Sequence, residues 1–242
     1  MKLYVIGIGP GGEEQMTLRA VRALQDCNCV AGYNLYLDLI APLIDGKERL
    51  ETGMTREVDR CTAARDAALT GKQVAVISSG DAGIYGMASL MFEVCQAYPE
   101  IQIEVIPGIT AACSGGAVLG SPLTNDFAVI SLSDLLTPWQ TIERRLYGAA
   151  QGDFCICLYN PASKRRTDHL QKACDILLKE RRPETPCGLV RNIGRDGQTM
   201  QIMTLQELRD TQVDMLTTVF VGNSMTRIID GHMVTPRGYQ GV

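Results

Sequence analysis

The sequence predicts an α/β protein of two α/β domains, the N-terminal one with a largely parallel sheet and the C-terminal one with a mixed sheet, and an active site in the cleft between them. Three observations carry this. Three times in the first half a short apolar run breaks into a glycine turn and then a helical pattern: Leu3 to Ile8 around Gly7-Ile8-Gly9-Pro10-Gly11-Gly12, Gln73 to Ser78 before Ser79-Gly80-Asp81-Ala82-Gly83-Ile84-Tyr85-Gly86, and Ile101 to Ile106 before Pro107-Gly108-Ile109-Thr110-Ala111-Ala112. Strands joined by helical crossovers pair in parallel, and ligands bind beyond their carboxyl ends, where these three turns would gather. Next, Gly120-Ser121-Pro122-Leu123 interrupts the periodic pattern, which sets residues 1–120, with the glycine-turn cofactor loops, apart from residues 121–242, which complete the cofactor and substrate site. Finally, the strands of the second half follow one another by short connections as well as by helices, which gives a mixed sheet.

Taken in order, Thr17 reads as the N-cap of a helix striped by Leu18, Val21 and Leu24, and Cys29 to Ala31 reads as the second strand. A short helix around Leu35 to Ile40 and a longer one striped by Val58, Cys61, Arg65 and Ala68 follow, the latter stopped by Gly71. Met87 to Ala97 is the helix behind the second glycine turn. In the second half Phe127 to Ser131 is a strand. Thr137-Pro138-Trp139-Gln140 then reads as N-cap, first-turn proline and capping-box glutamine of a helix that faces inward through Trp139, Ile142 and Leu146. Phe154 to Leu158 is a strand, Leu170, Cys174, Leu177 and Leu178 stripe the next helix, and strands at Cys187 to Val190, Gln198 to Thr204 and Thr218 to Val221 complete the pattern.

Composition narrows the function classes. The chain has 242 residues, 45% of them hydrophobic, with a net charge of −4, enough for a substantial core and without a general attraction to nucleic acid or membrane. No apolar run approaches the roughly 18 residues of a membrane span, and Met1-Lys2-Leu3-Tyr4-Val5 enters a strand at once, unlike a secretory signal. Nine cysteines, mostly in apolar runs and with no C-x-x-C, point to buried thiols in a reducing cytoplasm, and the chain offers only His169 and His232 beside them, so no metal site is expected.

Gly7, Gly9 and Gly12 match the G-x-G-x-x-G dinucleotide spacing. The chemistry argues otherwise: Pro10 removes an amide from the turn, Glu13 and Glu14 put negative charge where a pyrophosphate would lie, and the second strand ends in Gly32-Tyr33-Asn34 rather than in an acidic residue for a ribose. A nicotinamide or flavin oxidoreductase, a non-catalytic carrier or scaffold and a transferase remain the three classes. No G-x-S-x-G, P-loop or H-E-x-x-H occurs, and His169 reads as a solvated helix residue rather than a base. Loops that bind and few groups that react suit transfer of an already activated group, such as a methyl on a sulfonium. Asp81 could receive amino or hydroxyl groups of such a donor or be a plain helix N-cap.

The three glycine turns together with Tyr159-Asn160-Pro161 resemble the tetrapyrrole methylases of cobalamin and sirohaem synthesis. More narrowly, Gly32-Tyr33, the segment Ser131-Leu132-Ser133-Asp134-Leu135-Leu136-Thr137-Pro138-Trp139, Val221-Gly222-Asn223-Ser224 and Thr235-Pro236-Arg237-Gly238-Tyr239 are similar to the branch that methylates carbon 17. The resemblance runs from Leu3 to Tyr239. It implies a homodimer that uses S-adenosylmethionine, leaves S-adenosylhomocysteine, and methylates precorrin-3B or cobalt-factor III with contraction of the macrocycle. Carried over by position, Pro10, Ser79, Gly80, Asp81, Ile84, Tyr85, Thr110 and Ala111 match cofactor contacts, as do Tyr159, Asn160, Asn192 and Gly194. Relatives often carry proline where this chain has Ala82, a departure that suits the carbon-17 branch.

A corrin precursor carries many carboxylates, so its pocket needs local cations. Lys164 and Arg166 follow the Asn160 turn, and Arg191 and Arg237 lie on other turns of the second half; these four are the candidate substrate contacts, with Arg166 the preferred carboxylate clamp and a solvated charge run the alternative for Lys164 and Arg165. Contraction needs proton movement, for which Ser131, Ser133 and Asp134, just past a strand end, are the candidates, against a reading of them as helix caps.

Overall fold

The computed structural model describes residues 1–163 and 166–241. It divides the chain into two compact units, Met1–Ala111 and Ala112–Val242. In the first, elements run β1 (Lys2–Gly7), α1 (Leu18–Asp26), β2 (Cys29–Tyr33), α2 (Asn34–Leu39), β3 (Glu48–Thr52), α3 (Glu57–Leu69), β4 (Val74–Ser78), α4 (Ala88–Cys95) and β5 (Gln102–Ile106). The strands form one sheet in the order β3-β2-β4-β1-β5, and every pairing is parallel. Alternation along the strands feeds two cores. Leu3, Val5, Cys29, Ala31, Val74 and Val76 pack with α3 and α4 on one face. Tyr4, Ile6, Val30, Ala75 and Ile77 pack with α1 and α2 on the other. The chain therefore leaves β1 toward one face and the neighbouring β4 toward the opposite face, which opens a crevice at their carboxyl ends.

The second unit continues with α5 (Ala111–Leu119), β6 (Gly120–Ser121), β7 (Phe127–Ser131), α6 (Trp139–Gln151), β8 (Cys155–Tyr159), α7 (His169–Leu177), β9 (Pro186–Arg191), β10 (Thr199–Thr204), α8 (Leu205–Arg209), β11 (Thr217–Val221), β12 (Arg227–Ile229) and β13 (His232–Val234). Its main sheet has the order β10-β9-β11-β8-β7, parallel between β7 and β8 and antiparallel elsewhere, so the mixed sheet expected from the sequence is present. Helices α6, α7 and α8 cover one face. Helix α5 covers the other: Gly115 lies so close to Phe220 and Ile193 that a Cβ would come within 2.8 and 2.9 Å of them, and Leu119 lies over Gly188. This packing goes with the second unit, which begins at Ala112. Strands β12, β13 and β6 form a small third sheet, pinned where buried Thr235 donates from Oγ1 to the Pro122 carbonyl at 2.7 Å. Among the described residues no helix is long and apolar enough to cross a membrane.

Three local expectations are corrected. In α1 the buried residues are Ala20, Ala23 and Leu24, whereas Leu18 is exposed. In α3 they are Arg60, Cys61, Ala64 and Ala68; Val58 faces solvent and Arg65 lies over the Tyr98 ring. Helix α6 has Pro138 at its N-cap with no side-chain cap, because a φ-restricted proline with extended ψ stops the helix one residue short of Thr137. Thr17 does cap α1, its Oγ1 accepting from the Ala20 amide at 3.1 Å.

Candidate functional site

At the carboxyl ends of β1, β4 and β5 the three glycine turns meet main chain to main chain. The Gly9 amide donates to the Gly80 carbonyl at 3.0 Å and the Gly80 amide returns a bond to Gly9 at 2.8 Å. A Cβ on Gly7 would fall 2.6 Å from both the Gly108 nitrogen and the Gly80 oxygen, and one on Gly108 only 2.2 Å from that oxygen. Only residues without a side chain allow this approach. Asp81 locks it: one carboxylate oxygen accepts from the Gly83 amide at 2.8 Å and the other from the Gly108 amide at 2.9 Å. It is therefore more than a cap within its own turn, since it ties the β4 turn to the β5 turn.

The same turns present soft apolar surface. Ile84 is 39% and Tyr85 56% exposed, with Tyr85 at a positive φ of 53°. Ser79 is half-buried beside them, Thr110 and Ala111 are half-buried at the entrance to α5, and Pro10 is buried. Gly80 has φ +67°, and a Cβ there would meet nothing nearer than 3.7 Å, a cradle that a side chain would fill. No lysine or arginine occurs in 7–12, 78–86 or 106–111. Gly12 leads into a 3-10 turn with Glu13 and Glu14 in front, and α1 begins only at Leu18. No helix N-terminus reaches the turn, so pyrophosphate has neither amides nor cations here. A cationic ligand with an apolar ring fits what is present.

In the second unit β7, β8 and β9 run in the same direction, which puts Ser131, Asn160 and Asn192 on one edge of the sheet. Ser131 Oγ accepts from Asn160 Nδ2 at 2.9 Å and from the Ser133 amide at 3.2 Å. Asn160 holds this position with φ 53°, a conformation asparagine tolerates. The Tyr159 hydroxyl accepts from the Ala112 amide at 2.7 Å and so caps α5. Asn192, also at φ 53°, donates from Nδ2 to the Gly197 carbonyl at 3.5 Å, and the Gly194 amide donates to Gln198 Oε1 at 2.8 Å. Ser133 therefore takes part in a turn with Ser131, and no helix begins there.

The cation candidates separate. Arg166 faces Asp134, its Nε 3.8 Å from Oδ1, and donates to Ser163 Oγ at 3.1 Å; its Nη1 is buried with no partner among the described residues. Arg191 is engaged with Asp214 at 2.7 Å; burial would raise the Asp214 carboxyl, and the Arg191 guanidinium with Thr217 and the Leu216 amide outweighs that and holds it low. Arg237 is exposed next to Pro236, whose carbonyl accepts from Asn125 just before β7, so it lies toward the opposite edge from Ser131. Lys164 lies outside the described residues.

His169 overturns its sequence reading. It is 7% exposed, with Asp168 3.1 Å from Nδ1 and Asp134 3.1 Å from Nε2. Asp168 was adjacent in sequence and would have signalled the pairing; Asp134 is brought in only by the parallel pairing of β7 and β8. Burial would push the Asp134 carboxyl up, yet the His169 imidazole and the Arg166 guanidinium hold it below the usual carboxylate range. The buried thiols contrast with this pair. Burial pushes Cys61 up to about 11 and Cys174 up to about 12, and all but Cys113 are buried. A cavity of about 430 Å³ lined by Asp153, Arg181, Glu184, Asn223 and Ser224 lies at the other edge of the sheet, where Arg181 is already paired with Asp153.

Comparison with known proteins places the whole chain. Residues 2–209 match the family Tetrapyrrole (Corrin/Porphyrin) Methylases. A Salmonella typhimurium protein named "Probable cobalt-factor III C(17)-methyltransferase" is 47% identical over 98% of this chain and 99% of its own. The "Cobalt-factor III methyltransferase" of Priestia megaterium is 48% identical over 99% of this chain, which spans 45% of that longer protein. The solved structure of the methyltransferase CobJ superposes with a TM-score of 0.90 at 37% identity, over 97% of this chain and 99% of that one. The chain belongs to the tetrapyrrole methylase family.

Proposed function

We propose that this protein transfers a methyl group from S-adenosylmethionine to carbon 17 of cobalt-factor III, or of its metal-free counterpart precorrin-3B, with contraction of the macrocycle, as a step of cobalamin biosynthesis. The observation that carries the reading is the end-to-end match with a relative named for this reaction. The cobalt-loaded form is favoured because both named relatives carry it in their names. The cofactor supplies a methyl already activated on a sulfonium. The chain's own residues bind and orient: the Gly9, Gly80 and Gly108 turns give the amino-acid and ribose ends a close main-chain surface, Ile84 and Tyr85 offer apolar surface to the adenine, and Asn160 and Asn192 offer side-chain amides from the second sheet's edge. Ser79, Thr110 and Ala111 belong to the same set, as does Pro10, whose ring shapes the first turn. Arg166 is suited to a substrate carboxylate, since its Nη1 has no partner among the described residues. The same reading includes a homodimer acting in the cytoplasm.

Calorimetric titration with S-adenosylhomocysteine tests the cofactor, with micromolar binding and no heat from NAD expected; the reverse would overturn the reading. Incubation with S-adenosylmethionine and either cobalt-factor III or precorrin-3B should yield a product heavier by one methyl, faster from the cobalt form. Methylation of neither would reassign the chain to another tetrapyrrole of the pathway.

A further inference from the structure

Histidine at a helix start ordinarily faces water, yet the His169 imidazole is enclosed by groups from three directions. Trp139 of α6 meets it edge-on at 4.8 Å between ring centres. Asp168 lies against Nδ1 and is held in turn by Lys172 of α7 at 2.7 Å. Asp134, from the segment after β7, lies against Nε2, with Arg166 on its other oxygen. Asp134, Asp168, Arg166 and Lys172 are the charged groups around the ring among the described residues.

A neutral imidazole has one N–H and cannot satisfy a carboxylate on each nitrogen. When Nδ1 donates to Asp168, Nε2 confronts Asp134 lone pair to lone pair; one more proton on the pair turns that contact into the attraction that holds the Asp134 carboxyl low. The geometry around Nε2 has that mismatch. Nε2 is buried, 3.1 Å from Oδ2, yet off the line of a hydrogen bond and with no other partner among the described residues. Room for one mobile proton therefore lies between Nε2 and Oδ2. Asp134 is the end that opens outward, its side chain 36% exposed, one residue beyond the Ser131–Ser133–Asn160 hydrogen bonds.

We propose that Asp134 is the base that takes the proton released by methyl transfer, and that His169 is the positioning residue that shares and holds that proton. The inference rests on the methyltransferase reading above. The acceptor carbon gains the methyl through its own enamine electron pair, while the pair of the broken carbon–sulfur bond stays on sulfur as a neutral thioether. The acceptor then carries one extra positive charge and loses one proton to the Asp134 carboxylate, which His169 Nε2 stabilises as a shared proton before solvent removes it. Asp168 fixes the imidazole tautomer from the far side. No oxidant or further reactant is needed for this step.

The test compares wild type with Asp134→Asn, His169→Gln, the double variant and the control His232→Gln, at the other histidine. S-adenosylhomocysteine binding by the wild type and one-methyl product formation establish the reaction; their absence would defeat the methyltransferase reading and not the proton pair itself. Given that reaction, each single variant should lower kcat about 100-fold, with cofactor affinity and KM within about threefold of wild type, and the double variant should lose no more than the worse single one, as groups acting as a unit do. The solvent deuterium effect on kcat and the acid limb of its pH profile should change in both single variants and stay unaltered in His232→Gln. Independently of turnover, the His169 ring resonances in the NMR spectrum should move in Asp134→Asn. A kcat within about threefold of wild type in His169→Gln, independent losses that multiply in the double variant, or unmoved His169 resonances would each overturn the proposal.

Discussion

Beyond β1, β4 and β5 the contacts run from main chain to main chain, through Gly7, Gly9, Gly80 and Gly108; beyond β7 and β8 they run through the side chains of Ser131, Asn160, Asp134, Arg166 and His169. Both regions sit at carboxyl ends of parallel strands, yet they solve different problems. A backbone cradle carries partial charges only, so it can hold a ligand of mixed character without titrating, but it tolerates no added atom. A side-chain edge can exchange protons and meet carboxylates, but it depends on pH and on salt. On the reading proposed above, binding belongs to the first arrangement and proton movement to the second. Substitutions that add a methyl group, remove a carboxylate or change pH separate them.

The largest effect is expected where the backbone approach is tightest. Gly108→Ala would force a Cβ to within 2.2 Å of the Gly80 oxygen and 2.6 Å of the Gly7 carbonyl carbon, atoms of rigid main chain. We expect a loss of about 3 kcal/mol or more in urea denaturation and no measurable S-adenosylhomocysteine binding. Gly80→Ala is the contrasting case: the nearest atom is 3.7 Å away and only φ +67° resists, so the cost should be about 1 kcal/mol, with cofactor affinity reduced because the cradle is filled. Equal losses of stability in the two variants would break the contrast between close approach and backbone conformation.

The first region was legible in the sequence because its signals are local. A β-branched run ending in glycine marks both the strand and the turn, and three such units fix a parallel sheet. Strand β3 was not read, since Glu48, Arg49 and Glu51 alternate with half-buried residues on an edge strand and lack the apolar run of the central strands. The stripes of α1 and α3 slipped because alanines form their buried faces, Ala20 and Ala23 in one and Ala64 and Ala68 in the other, and small residues carry little hydrophobic signal. The side-chain edge was legible only in pieces: Ser131, Ser133 and Asp134 stood out past a strand end, whereas the burial of His169 depends on Trp139 packing from α6 and on a strand pairing that no local pattern encodes.

An intermediate effect is expected at Asp81, where a side chain holds the backbone cradle. Asp81→Ala removes acceptors from the Gly83 and Gly108 amides and should cost about 2 kcal/mol of stability. Cofactor affinity should fall by at least about fivefold, since the β5 turn loses its tie to the β4 turn. Asp81→Asn keeps one acceptor oxygen of the two and should lie between. Calorimetry on both variants decides the point: unchanged affinity in Asp81→Ala would confine the residue to joining the turns.

The smallest effect tests the side-chain edge. Asp134 is held below its ordinary value of 3.8 because the His169 imidazole and Arg166 guanidinium outweigh its burial. A carboxyl whose folded pKa is depressed contributes stability that is fully present above its unfolded pKa and is lost as pH falls through the folded one. The difference in unfolding free energy between wild type and Asp134→Asn should therefore favour wild type near pH 6 and shrink toward zero as pH drops below about 4. Its size should stay below about 1 kcal/mol, since the carboxylate is more than a third exposed and solvent screens it, and about 1 M salt should reduce it further. The corresponding difference for Gly80→Ala should be flat across the same range, because no titrating group enters its cost. A pH-dependent penalty in Gly80→Ala, or none in Asp134→Asn, would erase the division between a backbone-built region and a charge-built one.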